Sequence, residues 1–436
     1  MPEERGRAVA PATAERVLAS ERKRWASRWL SLQAGRPWFR SVTAAFLLSL
    51  LIVFAAGIAA FLALGNGPEA PHDLVGITGH LGSVGKVLAA PVFHWDGAWY
   101  LRLAEHGYQH SVDTAYYPLY PLLISLLTPI VGSAVIAAFV ISAGCLLVAL
   151  ALLYRLTALE LGEGAARLTL YLLLLFPTAL FFFAAYPESL FLCLEVGAVL
   201  AARQGRWALS GVLGGLAAAT RNSGVLLLIP LLLLYLYGPH SPGPRSPSPR
   251  ETGRAVMQRA RLRADVLWLA LVPLGLLAFV LMNLFTFGDA LASWHAEAYW
   301  KRSFAGPLSA LWQGVGPALT AAGHLLSGHP SAGAMQKLAL LGVALAAIIA
   351  LVGVCRRLPP AYGAYSAAAL VWSLSAPEQG HPLASSSRYV LTIFPLFMWL
   401  GSYLQRRRRI AAALLVVFTI GLVYCSARFA TWHWVA

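Results

Sequence analysis

The stretch VTAAFLLSLLIVFAAGIAAFLAL, residues 42 to 64, decides the fold class. It carries no charge over a length that exceeds the roughly 20 residues a helix needs to cross the hydrocarbon core of a bilayer. Similar runs recur along the 436-residue chain, which is 58% hydrophobic and 12% charged; a soluble domain carries about twice that charge. The mean hydropathy of +0.67 reflects these repeated spans. An all-α integral membrane protein, a polytopic helical bundle, is expected, and water cannot be its main solvent. The first run follows a basic tail, residues 1 to 41, and lacks the short apolar core and small-residue cleavage site of a signal peptide. It is expected to remain as the first helix.

The formal net charge of +15 does not point to nucleic acid, because Lys and Arg cluster beside spans rather than along one folded face. Cytoplasmic loops are enriched in these residues. The clusters Arg22 to Arg40, Arg155 to Arg167, Arg203 to Arg206, Arg245 to Arg263, Arg356 to Arg357 and Arg406 to Arg409 are therefore placed inside. About eleven crossings satisfy them, near 42–64, 133–154, 167–185, 189–203, 207–220, 223–237, 264–287, 336–355, 361–377, 387–404 and 410–427. Residues 65–132 become the first external loop, and the apolar piece Pro118 to Ile130 must then not cross. GPHSPGPRSPSPR at 238–250 reads as a cytoplasmic linker, assigned to 238–263, between membrane parts 42–237 and 264–436. Cys145, Cys193, Cys355 and Cys425 lack the spacing of a zinc site or disulfide framework and read as packing residues.

Under this topology the polar residues left outside converge on one face, which suits surface chemistry on rigid supports. HWDGAWYLRLAEHGY, residues 94–108, sets Trp95, Trp99 and Leu103 on one helical side, as an interfacial helix requires. Asp96 at its start either caps that helix or serves as a general base. In AYYPLYP, residues 115–121, Tyr117 and Tyr120 are either belt aromatics or the lining of an access route for a lipid or sugar. Glu188 follows Pro187 at a helix start, as a dipole partner or as a group that binds the acceptor or supports Asp96. Arg221 and Arg388, the latter beside three serines and after Glu378 and His381, either snorkel or grip a phosphate. FGDALASWHAEAYWKR, residues 287–302, offers Asp289, His295 and Glu297, whose spacing matches no familiar metal site. It reads as a solvated interfacial helix, and a divalent metal is left without a supporting motif.

HWDGAWYLRLAEHGY and YYPLYP, then FPTALFFFAAYPESLF (176–191), RWALSGVLGGLAAATRNSGVLLLIP (206–230) and SSRYVLTIFPLFMWLG (386–401), together resemble the PIG-V family. This family holds the second mannosyltransferase of glycosylphosphatidylinositol (GPI) anchor assembly and its prokaryotic relatives, within the GT-C class of multi-span glycosyltransferases. The resemblance implies mannose carried on polyprenyl or dolichyl phosphate, a lipid- or glycan-linked acceptor and inversion at the sugar carbon. It also implies an acidic residue in the first external loop, which Asp96 matches. Trp95, Tyr117, Tyr120, Glu188, Arg221, His381 and Arg388 stand as the candidate substrate contacts beside it. The implied location is the plasma membrane in a prokaryote or the endoplasmic reticulum in a eukaryote, with chemistry on the non-cytoplasmic face.

A transporter or lipid flippase is the competing reading. It would need ionisable groups along a path near mid-membrane, and Glu195 is the main residue of that kind.

Overall fold

The computed structural model of the protein describes residues 37–67, 82–238, 263–328 and 331–435. The basic tail up to residue 36 and the linker at 239–262 lie outside the described residues. In chain order the α-helices are α1 (Pro37–Leu64), α2 (Gly82–Ala89), α3 (Asp96–His106), α4 (Leu119–Val131), α5 (Ala134–Leu161), α6 (Glu163–Leu174), α7 (Glu188–Arg203), α8 (Trp207–Thr220) and α9 (Leu228–Tyr237). They continue as α10 (Leu271–Phe287), α11 (Ala292–Ala296), α12 (Ser309–Leu326), α13 (Ala332–Arg357), α14 (Pro360–Ser373), α15 (Ser386–Thr392), α16 (Phe394–Leu404) and α17 (Arg408–Ala430). Among the described residues the only β-type pairings are isolated bridges that join Glu378 to Arg302 and to His381.

Among the described residues five helices are long and apolar enough to cross a membrane: Trp38–Leu64, Ala134–Leu161, Ala264–Phe287, Ala332–Arg357 and Arg408–Ala430. α1 and α17 turn Leu51, Leu62, Val417 and Ile420 outward, an apolar surface that lipid accepts and water does not. The other expected crossings are filled by shorter helices, the longest of which, α7, has 16 residues. Pro118 to Ile130, expected not to cross, is the 13-residue helix α4.

The expected span 167–185 is two pieces. α6 stops at Leu174, Pro177 follows, a 3-10 turn occupies Ala179–Phe182, and α7 begins at Glu188 after Pro187. Irregular backbone deep in a membrane protein survives only where its carbonyls find protein donors. Hydroxyls from other segments supply them: Ser49 donates to the Leu174 carbonyl at 2.7 Å, Ser142 to Ala184 at 2.9 Å and Ser189 to Phe182 at 2.6 Å. The Ala185 amide donates to the Val92 carbonyl at 2.7 Å, which ties the break to the first loop. The expected span 387–404 is likewise divided, into α15 and α16, at Ile393 and before Pro395.

The glycines of GVLGG let α8 meet α10 at backbone distance. A Cβ on Gly275 would lie 2.0 Å from the Gly215 carbonyl oxygen, so both positions require hydrogen. Close approach through small residues is how membrane helices gain packing when lipid is as apolar as their side chains. Of the cysteines read as packing residues, Cys355 is exposed and the other three are partly buried.

Candidate active site

Four elements bring their charged ends to one cavity of about 1580 Å³. Asp96 opens α3, Glu188 opens α7, Arg221 follows the last residue of α8, and Arg388 sits in α15. Each position has a local cause. Trp95 holds φ 58° and ψ −125°, a conformation costly for a side-chain-bearing residue, and this sharp entry aims Asp96 at the cavity. Pro187 ends the helix break and starts α7 at Glu188. Arg221 is extended (φ −153°), after which the chain folds back so tightly that a Cβ on Gly224 would lie 2.3 Å from the Ala217 carbonyl oxygen.

The four charges form one chain. Arg388 Nη1 donates to Asp96 Oδ2 at 2.6 Å, and its Nε lies 3.5 Å from Glu188 Oε1. Arg221 Nη1 donates to that same Glu188 oxygen at 2.9 Å. Two carboxylates and two guanidiniums thus balance, as burial of charge demands. The Glu188 side chain is 1% exposed and that of Asp96 20%, so Asp96 is the more open of the two carboxylates. Arg388 also lies over the rings of Tyr186 and Tyr389, at 5.4 and 5.5 Å, which hold its guanidinium plane.

The second Asp96 oxygen, Oδ1, accepts from the Tyr116 hydroxyl at 3.3 Å, while the Asp96 amide donates to the Tyr186 hydroxyl at 3.1 Å. Burial, then the neighbouring Asp96 charge, pushes the Tyr116 hydroxyl well above its ordinary range, so it remains a donor. Trp99 stacks on Tyr116 at 5.6 Å, and Trp300 closes on both rings edge-on. The loop that carries Tyr116 is fastened by Asp113, which pairs with Arg102 and accepts from the amides of Gln109 and His110 at 2.9 Å each.

Of the residues singled out from sequence, Asp96, Trp95, Tyr117, Glu188, Arg221, His381 and Arg388 line the cavity. Tyr120 does not. It is fully buried behind the wall, where its hydroxyl meets Ser142 Oγ at 2.8 Å, because α4 turns it into the bundle. Arg388, read as a phosphate grip, is already engaged by two carboxylates. Sequence reading missed Arg302, which reaches the cavity and donates to the Tyr389 hydroxyl at 2.7 Å and to Ser385 Oγ at 2.8 Å. Its signal was present in the 287–302 stretch but was indistinguishable from an interfacial charge. Tyr116 was missed because two adjacent tyrosines give no means of choosing the inward one. Asp289 and His295 bond to each other at 2.7 Å, and no group of three His, Cys, Asp or Glu side chains suited to a metal occurs among the described residues. Glu195, the ionisable residue inside an expected span, is bonded by Tyr365, itself on the cavity wall.

The fold and the site define a helical protein with membrane-length apolar helices and a balanced charge network at the mouth of a broken helix. Residues 77–233 match the family model described as Mannosyltransferase (PIG-V). The GPI alpha-1,6-mannosyltransferase 2 of Cricetulus griseus is 34% identical over 148 residues, which cover 30% of this chain and 29% of that protein. The Rattus norvegicus protein of the same name is 30% identical over 165 residues, 34% of this chain and 32% of its own length. The Homo sapiens one is 32% identical over 149 residues, 30% and 29% of the two chains. The match thus spans about a third or less of these relatives. No solved structure matches the chain.

Proposed function

We propose that the chain is a membrane mannosyltransferase that moves mannose, or a related hexose, from a polyprenyl- or dolichyl-phosphate donor to a lipid- or glycan-linked acceptor. The observation that carries this reading is the setting of Asp96. One of its carboxylate oxygens is held by Arg388 and the other faces Tyr116 on the wall of a large cavity. A carboxylate so oriented takes the proton from an acceptor hydroxyl as that oxygen attacks the anomeric carbon. The bond from that carbon to the phosphate oxygen breaks on the opposite side, the sugar carbon inverts, and the lipid phosphate leaves with the electron pair.

The ion pair couples these events. Once Asp96 is protonated, Arg388 loses its nearest counter-charge and becomes available to the departing phosphate, so positive charge appears as the anion needs it. Arg221 is assigned to the donor phosphate from the other side of Glu188, and His381 and Tyr117 to the cavity rim. The same proposal places this chemistry on the non-cytoplasmic face of an approximately eleven-span, GT-C-like bundle. Purified protein given polyprenyl-phosphate mannose labelled in the sugar, together with a membrane lipid extract, is expected to yield a labelled lipid or glycan. Donor left intact in the presence of every extract fraction overturns the reading.

A further inference from the structure

The segment after α17 bends back over the first loop. Gly67 donates its amide to the Thr431 carbonyl at 2.9 Å, and Arg428 Nη2 reaches the Trp434 carbonyl at 3.3 Å. His94 Nδ1, which must carry its proton to meet a carbonyl, donates to Phe429 at 2.7 Å, and the His94 ring lies 4.2 Å from that of Trp432. This places Trp432 and Trp434 on the wall of the cavity beside Trp95, with ring centroids 5.8 and 5.1 Å from the Trp95 ring.

Two features of this wall are costly for folding alone. Trp95 and Trp432 both hold positive φ, 58° and 53°, a strain that a side-chain-bearing residue keeps only where its surroundings impose it. The indole N–H groups of the same two residues are buried without a hydrogen-bond partner, and Trp432 is only 2% exposed. An unpaired buried donor is a deficit that a ligand oxygen can remove. Flat indole faces beside N–H donors, next to a general base, match a sugar ring, which presents C–H groups on its faces and oxygens around its edge. A lipid tail would use the faces and leave the N–H groups unpaired. The segment also lies outside residues 77–233, the part matched to the family.

We propose that Trp434 and Trp95 stack against the acceptor sugar while the indole N–H groups of Trp432 and Trp95 donate to its oxygens, so that the segment after α17 forms an acceptor subsite. This rests on the glycosyl-transfer reading above. The probe is octyl α-D-mannopyranoside, added to protein in lipid nanodiscs and observed by saturation-transfer NMR with empty nanodiscs as the blank. The sugar-ring protons are expected to receive saturation. Trp434→Ala should reduce that signal to the blank, Trp434→Phe should keep most of it, and Trp432→Phe should weaken affinity about five-fold, as loss of one hydrogen bond does. Saturation confined to the octyl chain, or ring saturation unchanged in Trp434→Ala and Trp432→Phe, overturns the subsite and leaves the transfer reading standing. Transfer that survives Asp96→Asn instead overturns the mechanism, whatever the tryptophan variants do.

Discussion

The two ends of α7 carry the same chemistry in opposite settings. At its first residue, Glu188 joins Arg221, Arg388 and Asp96 on the cavity wall. At its last, Arg203 Nε donates to Glu160 at 2.5 Å, and the Tyr362 hydroxyl donates to the same oxygen at 2.7 Å. A helix of 16 residues separates them by about 24 Å. The far cluster is sealed: the Arg203 side chain is 1% exposed and that of Glu160 3%, so Arg203 is a buried partner rather than the free loop charge it resembles in sequence. The near cluster shows 20% of Asp96 and 10% of Arg388 to the cavity. A sealed pair can only hold α5, α7 and α14 together, whereas an open one can exchange a partner for a ligand. Access, rather than residue type, separates staple from reactive site.

The contrast breaks most sharply at Asp96. Asp96→Asn should lower sugar transfer about 10²- to 10⁴-fold, the range for loss of a general base, with thermal unfolding in detergent little changed. A large stability loss with retained turnover would reverse the assignment of the two clusters. Next in size, Arg203→Met should destabilise by about 3–5 kcal/mol by leaving Glu160 without its cation. Turnover per folded molecule should persist, and Glu160→Gln added to it should restore most of the unfolding temperature. An unchanged unfolding temperature in the single variant would mean that the far cluster holds nothing.

A pH-dependent effect concerns His94, buried against Trp432. Burial lowers His94 from 6.5 to about 3, so the unfolded chain binds its proton first. Its contribution is complete above pH 6.5 and is lost as pH falls toward 3, by up to about 1.4 kcal/mol per unit. His94→Asn, which keeps a donor for the Phe429 carbonyl, should flatten this acid limb, and an unaltered slope would assign it to other groups. Smallest, Ser142→Ala removes the donor to the Ala184 carbonyl in the helix break and should cost about 1 kcal/mol, read by thermal unfolding. Because that break aims Glu188, turnover should fall with it.

Much was legible from the chain. Uncharged runs such as 42–64 and 133–154 needed only composition to be recognised as membrane-length helices, because hydrocarbon excludes charge regardless of neighbours. Asp96, Glu188, Arg221 and Arg388 stood out as polar residues at the ends of apolar segments, and the motif order resembled that of the PIG-V family. Their assembly into one ionic chain was not legible, since 292 positions separate Asp96 from Arg388 and no local pattern encodes so distant a pair. The break between Leu174 and Glu188 was hidden for a related reason. Its backbone is satisfied by Ser49, Ser142 and Ser189, and whether a serine feeds its own helix or a distant carbonyl is settled only once helices pack.

Sequence by itself determined solvent, helix content and the inventory of reactive groups, because these follow from each residue's own transfer free energy and local spacing. Tertiary structure alone decided which arginine meets Asp96, that Tyr120 lies behind the wall while Tyr116 reaches the carboxylate, and that Trp432 returns to the first loop. Those outcomes depend on contacts between segments far apart in the chain, where burial and geometry select among side chains that are equivalent in sequence.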